Sequence, residues 1–187
     1  MMNELIICSG FGGQGVMSMG QILAYSGMIE KKEVSWLPSY GPEMRGGTAN
    51  CSVIISDTSI ASPVITNNAT TAIVMNLPSL KKFENSLVKD GILLINSSLI
   101  NQDPLRKDIK YFKIPANQLA VEFCSNVKVA NMIMIGSYLE LTKQLSKESI
   151  LQGFLKIFGE KKANLLSINE EALKVGADYV KQNYSTK

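Results

Sequence analysis

The chain has 187 residues, of which 45% are hydrophobic, and this length predicts one domain with a single core over residues 1–187. The formal net charge is +3 and the cations are spread along the chain, so the charge pattern argues against nucleic acid as a partner. The sequence contains no histidine, which excludes nucleophile pairs of the Ser-His or Cys-His kind.

Cysteine usage and hydropathy predict a protein of a reducing compartment. Cys8, Cys51 and Cys124 stand far apart in sequence, so they supply neither the clustered thiolates of an iron–sulfur site nor a zinc ligand set. We expect them to be small buried hydrophobes. The apolar stretch 129–135 is interrupted by Asn131 and is too short to span a bilayer, and no leader pattern precedes the first strand. We therefore expect a cytoplasmic protein without membrane insertion.

The first predicted element is a buried strand that leads into a glycine-rich loop. Leu5–Cys8 is continuously apolar, the loop Ser9-Gly10-Phe11-Gly12-Gly13-Gln14-Gly15 follows, and a helical pattern begins near Val16. In such a unit the first amides of the helix face the loop, so a phosphate or carboxylate would fit there. The candidate binding residues are Gly10, Gly12, Gly13, Gln14 and Gly15.

The loop allows three other interpretations. The glycines satisfy G-x-G-x-x-G, but an NAD site also needs an acidic side chain at the end of the second strand, which here ends in Pro38-Ser39. A Walker loop needs a Lys-Ser/Thr pair where this chain has Val16-Met17. A tight turn that only brings helix and strand together stays an alternative, although such a turn has no obvious use for the long amide of Gln14.

The next two predicted strands flank a second glycine-rich loop. Val34–Leu37 predicts a strand closed by Pro38, and residues 48–56 predict a third strand. Between them lies Ser39-Tyr40-Gly41-Pro42-Glu43-Met44-Arg45-Gly46-Gly47, which carries one charge of each sign. Its candidate binding residues are Tyr40, Glu43, Arg45 and Gly46. Residues 62–65 predict an edge strand, because proline cannot donate to a ladder.

The remaining pattern predicts the fold class. Apolar runs predict strands at 72–75, 92–95 and 109–114. Leu80, Phe83 and Leu87 predict a helix between the first two of these strands, ended by Asp90-Gly91. The strand–helix rhythm predicts a doubly wound, mostly parallel α/β sheet of the Rossmann-like type, with helices on both faces.

The last third is predicted to be helical. Apolar residues fall nearly all round a helix over 127–141, so we expect it in the centre of the core or beneath another subunit. Ser146 is a candidate cap for the next helix, which Gly159 would end. Ser167-x-x-Glu170 is a capping-box pattern that predicts the start of the final helix.

Both glycine-rich motifs resemble a known family. Gly10-Phe11-Gly12-Gly13-Gln14-Gly15, then Ser39 to Gly47 and Thr48-Ala49-Asn50-Cys51, are similar to the gamma subunits of 2-oxoacid:ferredoxin (acceptor) oxidoreductases. The similarity covers essentially the whole chain, so residues 1–187 are expected to form one gamma-type domain. Tyr-Gly-Pro-Glu-Met-Arg-Gly-Gly looks like the 2-oxoglutarate type more than the pyruvate type.

The resemblance implies one subunit of a larger enzyme. Members of that family are built from alpha, beta, gamma and often ferredoxin-like delta subunits. They decarboxylate a 2-oxoacid on thiamine diphosphate, pass electrons through [4Fe-4S] clusters to ferredoxin, flavodoxin or a similar acceptor, and form an acyl-CoA. For 2-oxoglutarate the products are succinyl-CoA and CO2. The resemblance places thiamine diphosphate and the clusters in the partner subunits, so we expect no catalytic residue and no metal in this chain, which alone would be inactive.

The role expected for the gamma chain is to help hold coenzyme A. The amides of Gly12 to Gly15 or the guanidinium of Arg45 would face phosphate or carboxylate oxygens. A salt bridge to another subunit is the alternative for Glu43 and Arg45, and Tyr40 and Met44 are expected to be contact surface more than chemistry. Three further alternatives stay open: a pyruvate- or ketoisovalerate-type gamma subunit, an independent nucleotide- or flavin-binding oxidoreductase, and a scaffolding subunit without a ligand.

Overall fold

A computed structural model describes residues 3–39, 48–159 and 164–184 of the chain. The strands are β1 Asn3–Phe11, β2 Glu33–Ser39, β3 Thr48–Ser56, β4 Ala69–Val74, β5 Leu87–Asn96 and β6 Lys110–Ile114. The helices are α1 Val16–Ile29, α2 Leu77–Phe83, α3 Ala116–Cys124, α4 Ala130–Thr142, α5 Lys147–Phe158 and α6 Leu166–Tyr184. Short 3-10 turns lie at Glu84–Ser86 and Val127–Val129.

These strands form one mixed sheet in the order β2-β3-β1-β4-β5-β6. β1, β4, β5 and β6 run parallel, whereas β3 is antiparallel to both of its neighbours, β1 and β2. The predicted mostly parallel α/β fold is therefore confirmed. Because β1 and β2 are both antiparallel to β3, they run in the same direction. The carboxyl ends of five strands, all except β3, therefore meet at one edge of the sheet.

Helices cover both faces of the sheet, but unequally. The main core contains side chains of α1 and of α3 to α6, packed on one face against residues such as Ile6 and Leu94. The adjacent residues Ile7 and Leu93 belong to a smaller core on the opposite face, since side chains alternate along a strand. That face is covered by α2 and by residues of the connecting segments, including Ile100.

α4 lies in the centre of the main core, which is one of the two positions predicted for it; the other was beneath another subunit. Met132, Ile133, Met134, Ile135 and Tyr138 are at most 1% exposed. α6 packs so closely on it that a Cβ on either helix glycine at the contact, Gly136 or Gly176, would lie 2.0 Å from a carbonyl oxygen of the other helix. The apolar residues around α4 are thus accounted for within the chain. Among the described residues, no helix combines the length and hydropathy of a membrane span.

Two predictions in the middle of the chain are wrong. Leu87 begins β5 instead of continuing a helix, and Asp90 lies within that strand with a φ of 62°. The spacing of the apolar residues suggested one helix because Leu80 and Leu87 are buried in the same core, but Leu80 lies on α2 and Leu87 on β5. Residues 62–65 form no strand: the Val64 amide donates to Ser62 Oγ instead of to a ladder.

Two helix predictions also differ from the structure. Ser167 lies inside α6, which begins at Leu166, so it does not cap that helix. α3 was not predicted, because the sequence before it ends in Pro115, whose side chain gives no capping hydrogen bond. Ser146 does cap α5 as predicted, by accepting a hydrogen bond from the Ser149 amide at 3.2 Å, and Gly159 ends that helix.

Candidate functional site

The glycine loop lies at the carboxyl edge of the sheet, between β1 and α1. β1 continues through Phe11, so the turn itself is shorter than predicted and comprises residues 12–15. Gly13 and Gly15 have positive φ values of 92° and 74°, which glycine adopts without a steric penalty. Gly15 is the N-cap of α1 and supplies no side-chain acceptor, and the first turn contains no acidic residue. The first amides of α1 thus keep their capacity to bind an anion.

The apex of the loop and its flanks differ in how closely they are packed. Gly12 and Gly13 are exposed, and a Cβ on Gly13 would meet no atom within 4 Å. A Cβ on Gly10 would lie 2.8 Å from Cβ of Met75, and one on Gly15 would lie 2.7 Å from Nδ2 of Asn131. The apex is open to an approaching ligand, whereas the flanking glycines are needed for close packing.

Gln14 braces the loop against the neighbouring strand. Its Oε1 accepts a hydrogen bond from the Phe11 amide at 2.6 Å, and its Nε2 donates to the carbonyl oxygen of Met75 at 3.2 Å. The premise that a packing turn has no use for this amide is therefore wrong, because the side chain ties the loop to the end of β4. Binding of a ligand by Gln14 stays a prediction.

A crevice opens beside the loop because two connections leave the sheet towards opposite faces. α1 follows β1 onto the main core, and α2 follows β4 onto the smaller one, while β1 and β4 are neighbours. Open α/β sheets bind ligands at such topological switch points. Here Ser9 Oγ donates to Ser79 Oγ at 2.8 Å, and the Ser79 amide donates to Asn76 Oδ1 at 2.8 Å, so polar groups lie between the two strand ends.

The second motif begins and ends at the same edge of the sheet. Its candidate residues Tyr40, Glu43, Arg45 and Gly46 lie outside the described residues. Ser39, just before them, ends β2, and Thr48, just after them, opens β3 as the partner of Phe11. Both strands thus carry the chain to the side of the sheet where the glycine loop lies.

A cavity of about 470 Å³ adjoins the loop on the side of α1. Its apolar lining includes Ile22, Val129, Met132, Phe154, Phe158, Leu165 and Ile168. Asn131 lines it as well and donates through Nδ2 to the carbonyl oxygen of Gly15 at 3.4 Å. Ser18, Asn126, Asn169 and the exposed cation Lys128 also line the cavity, which therefore suits a ligand with an apolar body and a polar or anionic end.

Sequence reasoning missed the residues that support the loop. Asn131 was noted only as a polar interruption of an apolar stretch, although a buried amide in such a stretch usually has a partner. Met75 and Ser79 gave no signal, because their roles depend on β4 lying next to β1. In the described ranges, no group of three or more His, Cys, Asp or Glu side chains could hold a metal ion.

The chain matches the sequence model of one known family. The model of the pyruvate ferredoxin/flavodoxin oxidoreductase family matches residues 5–179. The chain therefore belongs to that family, and the predicted resemblance is confirmed.

Curated relatives divide into two kinds by length. The 2-oxoglutarate synthase subunit KorC of Methanocaldococcus jannaschii is 32% identical over 173 residues, which cover 90% of this chain and 92% of that protein. The ketoisovalerate oxidoreductase subunit VorA of Methanothermobacter marburgensis is 32% identical over 175 residues, 94% of this chain. This chain spans only 36% of the length of VorA.

Solved structures share the fold over nearly the whole chain. The gamma subunit of a keto/oxoacid ferredoxin oxidoreductase from Geobacter sulfurreducens PCA has a TM-score of 0.79 at 27% identity, over 94% of this chain and 96% of that one. A 2-oxoglutarate:ferredoxin oxidoreductase from Magnetococcus marinus, solved with 2-oxoglutarate, coenzyme A and succinyl-CoA bound, has a TM-score of 0.87 at 20% identity. That match covers 100% of this chain and 32% of the other chain, and it shows the fold alone.

Proposed function

We propose that this chain is the gamma subunit of a thiamine diphosphate- and iron–sulfur-dependent 2-oxoacid oxidoreductase, and that it contributes part of the coenzyme A site. The observation that carries the coenzyme A role is the open apex of the glycine loop at a switch point. There a Cβ on Gly13 would meet nothing within 4 Å and the first amides of α1 have no capping side chain. Phosphate oxygens are natural acceptors for such amides.

Two features of the described residues support coenzyme A as the ligand. Its phosphates would meet the amides of Gly13, Gly15 and Val16, since the Gln14 amide already donates to the Phe11 carbonyl, and Arg45 would add a guanidinium if the second motif approaches the loop. Coenzyme A also carries a long, weakly polar arm that ends in a thiol, and the adjoining cavity offers apolar walls. When bound, coenzyme A supplies the thiol that accepts the acyl group. This chain would bind and orient it, while the partner subunits supply the reaction centre.

For the substrate we propose 2-oxoglutarate. The second motif resembles the 2-oxoglutarate type, and a 2-oxoglutarate synthase subunit matches this chain over 92% of its own length. The test is coenzyme A-dependent dye reduction by the complex purified from its native cell, with 2-oxoglutarate, pyruvate and 2-ketoisovalerate as substrates. We expect the largest kcat/KM for 2-oxoglutarate. A larger value for either other acid would overturn this choice and leave the subunit assignment intact.

Partner subunits provide a separate test of the assignment. We expect alpha, beta and ferredoxin-like delta subunits, containing thiamine diphosphate and iron–sulfur clusters, to co-purify with a tagged chain from its native cell. Recovery of a solitary chain with a stoichiometric dinucleotide or flavin would instead support an independent oxidoreductase.

Arg45→Ala distinguishes the two roles proposed for the charged second motif. If Arg45 meets coenzyme A, the substitution raises the apparent KM for coenzyme A about tenfold or more, as expected for the loss of a charge-assisted hydrogen bond, and the complex stays assembled. If Glu43 and Arg45 instead pair with another subunit, the KM is unchanged and less partner protein co-purifies. Met44→Ala, which removes a side chain expected to be contact surface, is the control for the KM readout alone and should leave the KM for coenzyme A unchanged.

A further inference from the structure

Two buried thiols face each other on neighbouring strands beneath α1. Cys8 of β1 and Cys51 of β3 are direct partners in the antiparallel register, and both are 0% exposed. Directly opposed residues in such a pair have Cα atoms about 4.5 or 5.5 Å apart. Both values lie within the range of about 4.4–6.8 Å that disulfides span. The strands would not have to shift for these sulfur atoms to become bonded.

The sulfur of Cys51 also contacts the first turns of α1. It donates a hydrogen bond to the carbonyl oxygen of Val16 at 3.4 Å. A Cβ on Gly20 would lie only 2.3 Å from it, so the missing side chain of Gly20 makes the space that the sulfur occupies. Cys51 therefore lies between Cys8 and the helix that follows the glycine loop.

Trp36 gives this cluster a built-in reporter. Its buried Nε1 has no hydrogen-bond partner within the part of the chain that is described. It lies 2.9 Å from the same Cβ position on Gly20 that is 2.3 Å from the sulfur of Cys51, so the indole and the sulfur are close neighbours. The sequence contains one tryptophan, so we expect a change in the chemical state of Cys51 to alter the indole fluorescence.

The environment also separates the chemical roles of the two thiols. A hydrogen bond from Cys8, together with the nearby N–H groups of Trp36 and of the Gly20 backbone, lowers the pKa of Cys51 in spite of its burial. Donation to Cys51 and burial raise the pKa of Cys8. Because the thiolate is the reactive form, we assign the first attack to Cys51, and the cross-strand pairing places Cys8 within reach of it.

We propose that Cys8 and Cys51 form a redox-modification site, at which a small peroxide converts the thiol pair into a cross-strand disulfide. The Cys51 thiolate attacks one peroxide oxygen and the O–O bond breaks. Cys51 becomes a sulfenic acid, and the other oxygen leaves as the first water. The sulfur of Cys8 then attacks the sulfur of Cys51 and the second water leaves. Two thiols lose two electrons, and one hydrogen peroxide becomes two waters.

Bond formation would change the packing next to the glycine loop. The S–S distance in a disulfide is about 2.05 Å, so the two sulfur atoms must come closer than non-bonded contact. Cys51 also loses the S–H hydrogen that it donates to the carbonyl of Val16, and the surroundings of the nearby Trp36 indole change. The modification is therefore expected to alter the fluorescence of Trp36 reversibly.

The test uses the full chain with Cys124→Ser, so that the pair is the sole source of thiols. After graded hydrogen peroxide, we expect an intact mass lower by two hydrogen atoms, a Cys8–Cys51 linked peptide on digestion, and a fluorescence change that a dithiol reductant reverses. Adding Cys8→Ser should instead leave oxygen atoms on Cys51 without a linked peptide. Adding Cys51→Ser should abolish the fluorescence response.

Two outcomes would overturn the proposal. The first is that, in the chain that carries both Cys8 and Cys51, either cysteine gains oxygen atoms but no Cys8–Cys51 disulfide forms at any dose of peroxide. The other is no reaction of the pair at doses that fully oxidise Cys124 in the unsubstituted chain. Peptide mapping of the unsubstituted chain provides a readout that does not depend on how well any variant folds.

Discussion

Glycine serves two regions of this molecule in opposite ways. In the glycine loop, Gly13 needs an unusual backbone conformation, with a φ of 92°, but has open space where a side chain would be. Between α4 and α6, Gly136 and Gly176 lie in regular helix, yet a Cβ on either would be 2.0 Å from a carbonyl oxygen. The glycine loop requires a backbone conformation that glycine adopts easily, whereas the helix contact requires a residue without a side chain.

This difference decides what each region tolerates. A methyl group at the loop apex strains one residue, because an L side chain disfavours positive φ by about 1–2 kcal/mol. A methyl group in the helix contact forces two backbones apart and opens the core around them. The loop can thus be altered to examine binding, whereas the helix contact holds the fold.

The largest effect is expected for Gly176→Ala. The new methyl would overlap the carbonyl oxygen of Ile133, and overpacking of this kind costs about 3 kcal/mol or more where backbone cannot yield. Urea unfolding measures the loss. Gly159→Ala is the comparison variant: a Cβ there meets nothing within 4 Å, so its loss of about 1–2 kcal/mol comes from backbone strain at a φ of 72° and not from overpacking. Equal losses in the two variants would show that the close helix contact is not required.

Gln14→Ala is expected to have the next largest effect, because it removes both braces of the glycine loop. Loss of the hydrogen bonds to the Phe11 amide and the Met75 carbonyl should cost about 1–2 kcal/mol in unfolding free energy. If the loop contacts coenzyme A as proposed, the apparent KM for coenzyme A in the assembled enzyme should rise as well. Gln118→Ala, on the exposed side of α3, is the control. An unchanged stability would mean that the loop holds its shape without Gln14.

Gly13→Ala tests whether the open apex is a binding surface. Strain should lower the unfolding free energy by about 1–2 kcal/mol, and Gly159→Ala, with a φ of 72°, should lose a similar amount. If coenzyme A phosphates approach the loop, only Gly13→Ala should raise the apparent KM for coenzyme A. A shared stability loss with no difference in KM would argue against contact at the apex.

The smallest effects should come from two carboxylates: Glu30, which joins the end of α1 to α5, and Glu4 of β1, which joins that strand to β4 and α4. Burial raises the pKa of Glu30, but hydrogen bonds from Ser149 and Ser146 outweigh it and place the pKa below 4.5. Stability from Glu30 is therefore present above about pH 5 and is lost as the pH falls through the folded pKa. We expect this loss of unfolding free energy at low pH to be under about 1 kcal/mol, because Glu30 is only partly buried. In Glu30→Gln the loss should disappear.

Glu4 should behave in the opposite sense. Burial raises its pKa above 4.5, although Thr70, Thr71 and Tyr138 donate hydrogen bonds to the carboxylate. Its favourable contribution is full below pH 4.5 and is lost as the pH rises through the folded pKa. Glu4→Gln should thus remove a decline in stability between acid and neutral pH. The check for both variants is the unfolding free energy measured across that pH range. If the pH profile of a variant runs parallel to that of the unsubstituted chain, the pKa shift proposed for its carboxyl group is wrong.

Much of the fold and part of the candidate site could be predicted from the sequence, because their signals are local. Strand β1, the turn at Gly12–Gly15 and the start of α1 follow from an apolar run, glycines and helical periodicity, all of which act over a few residues. The pervasive apolar pattern of α4 likewise fixed its burial. The two motifs carried the family resemblance without any knowledge of how the strands pair.

Tertiary structure decided the features that depend on neighbours distant in sequence. Leu87 has the same spacing from Leu80 whether it continues a helix or begins a strand, and only packing in the smaller core selects the strand. The brace from Gln14 to Met75 and the facing thiols of Cys8 and Cys51 exist because β1 lies between β3 and β4. Periodicity records which face of an element is buried, whereas the choice of neighbour depends on the free energy of the whole sheet.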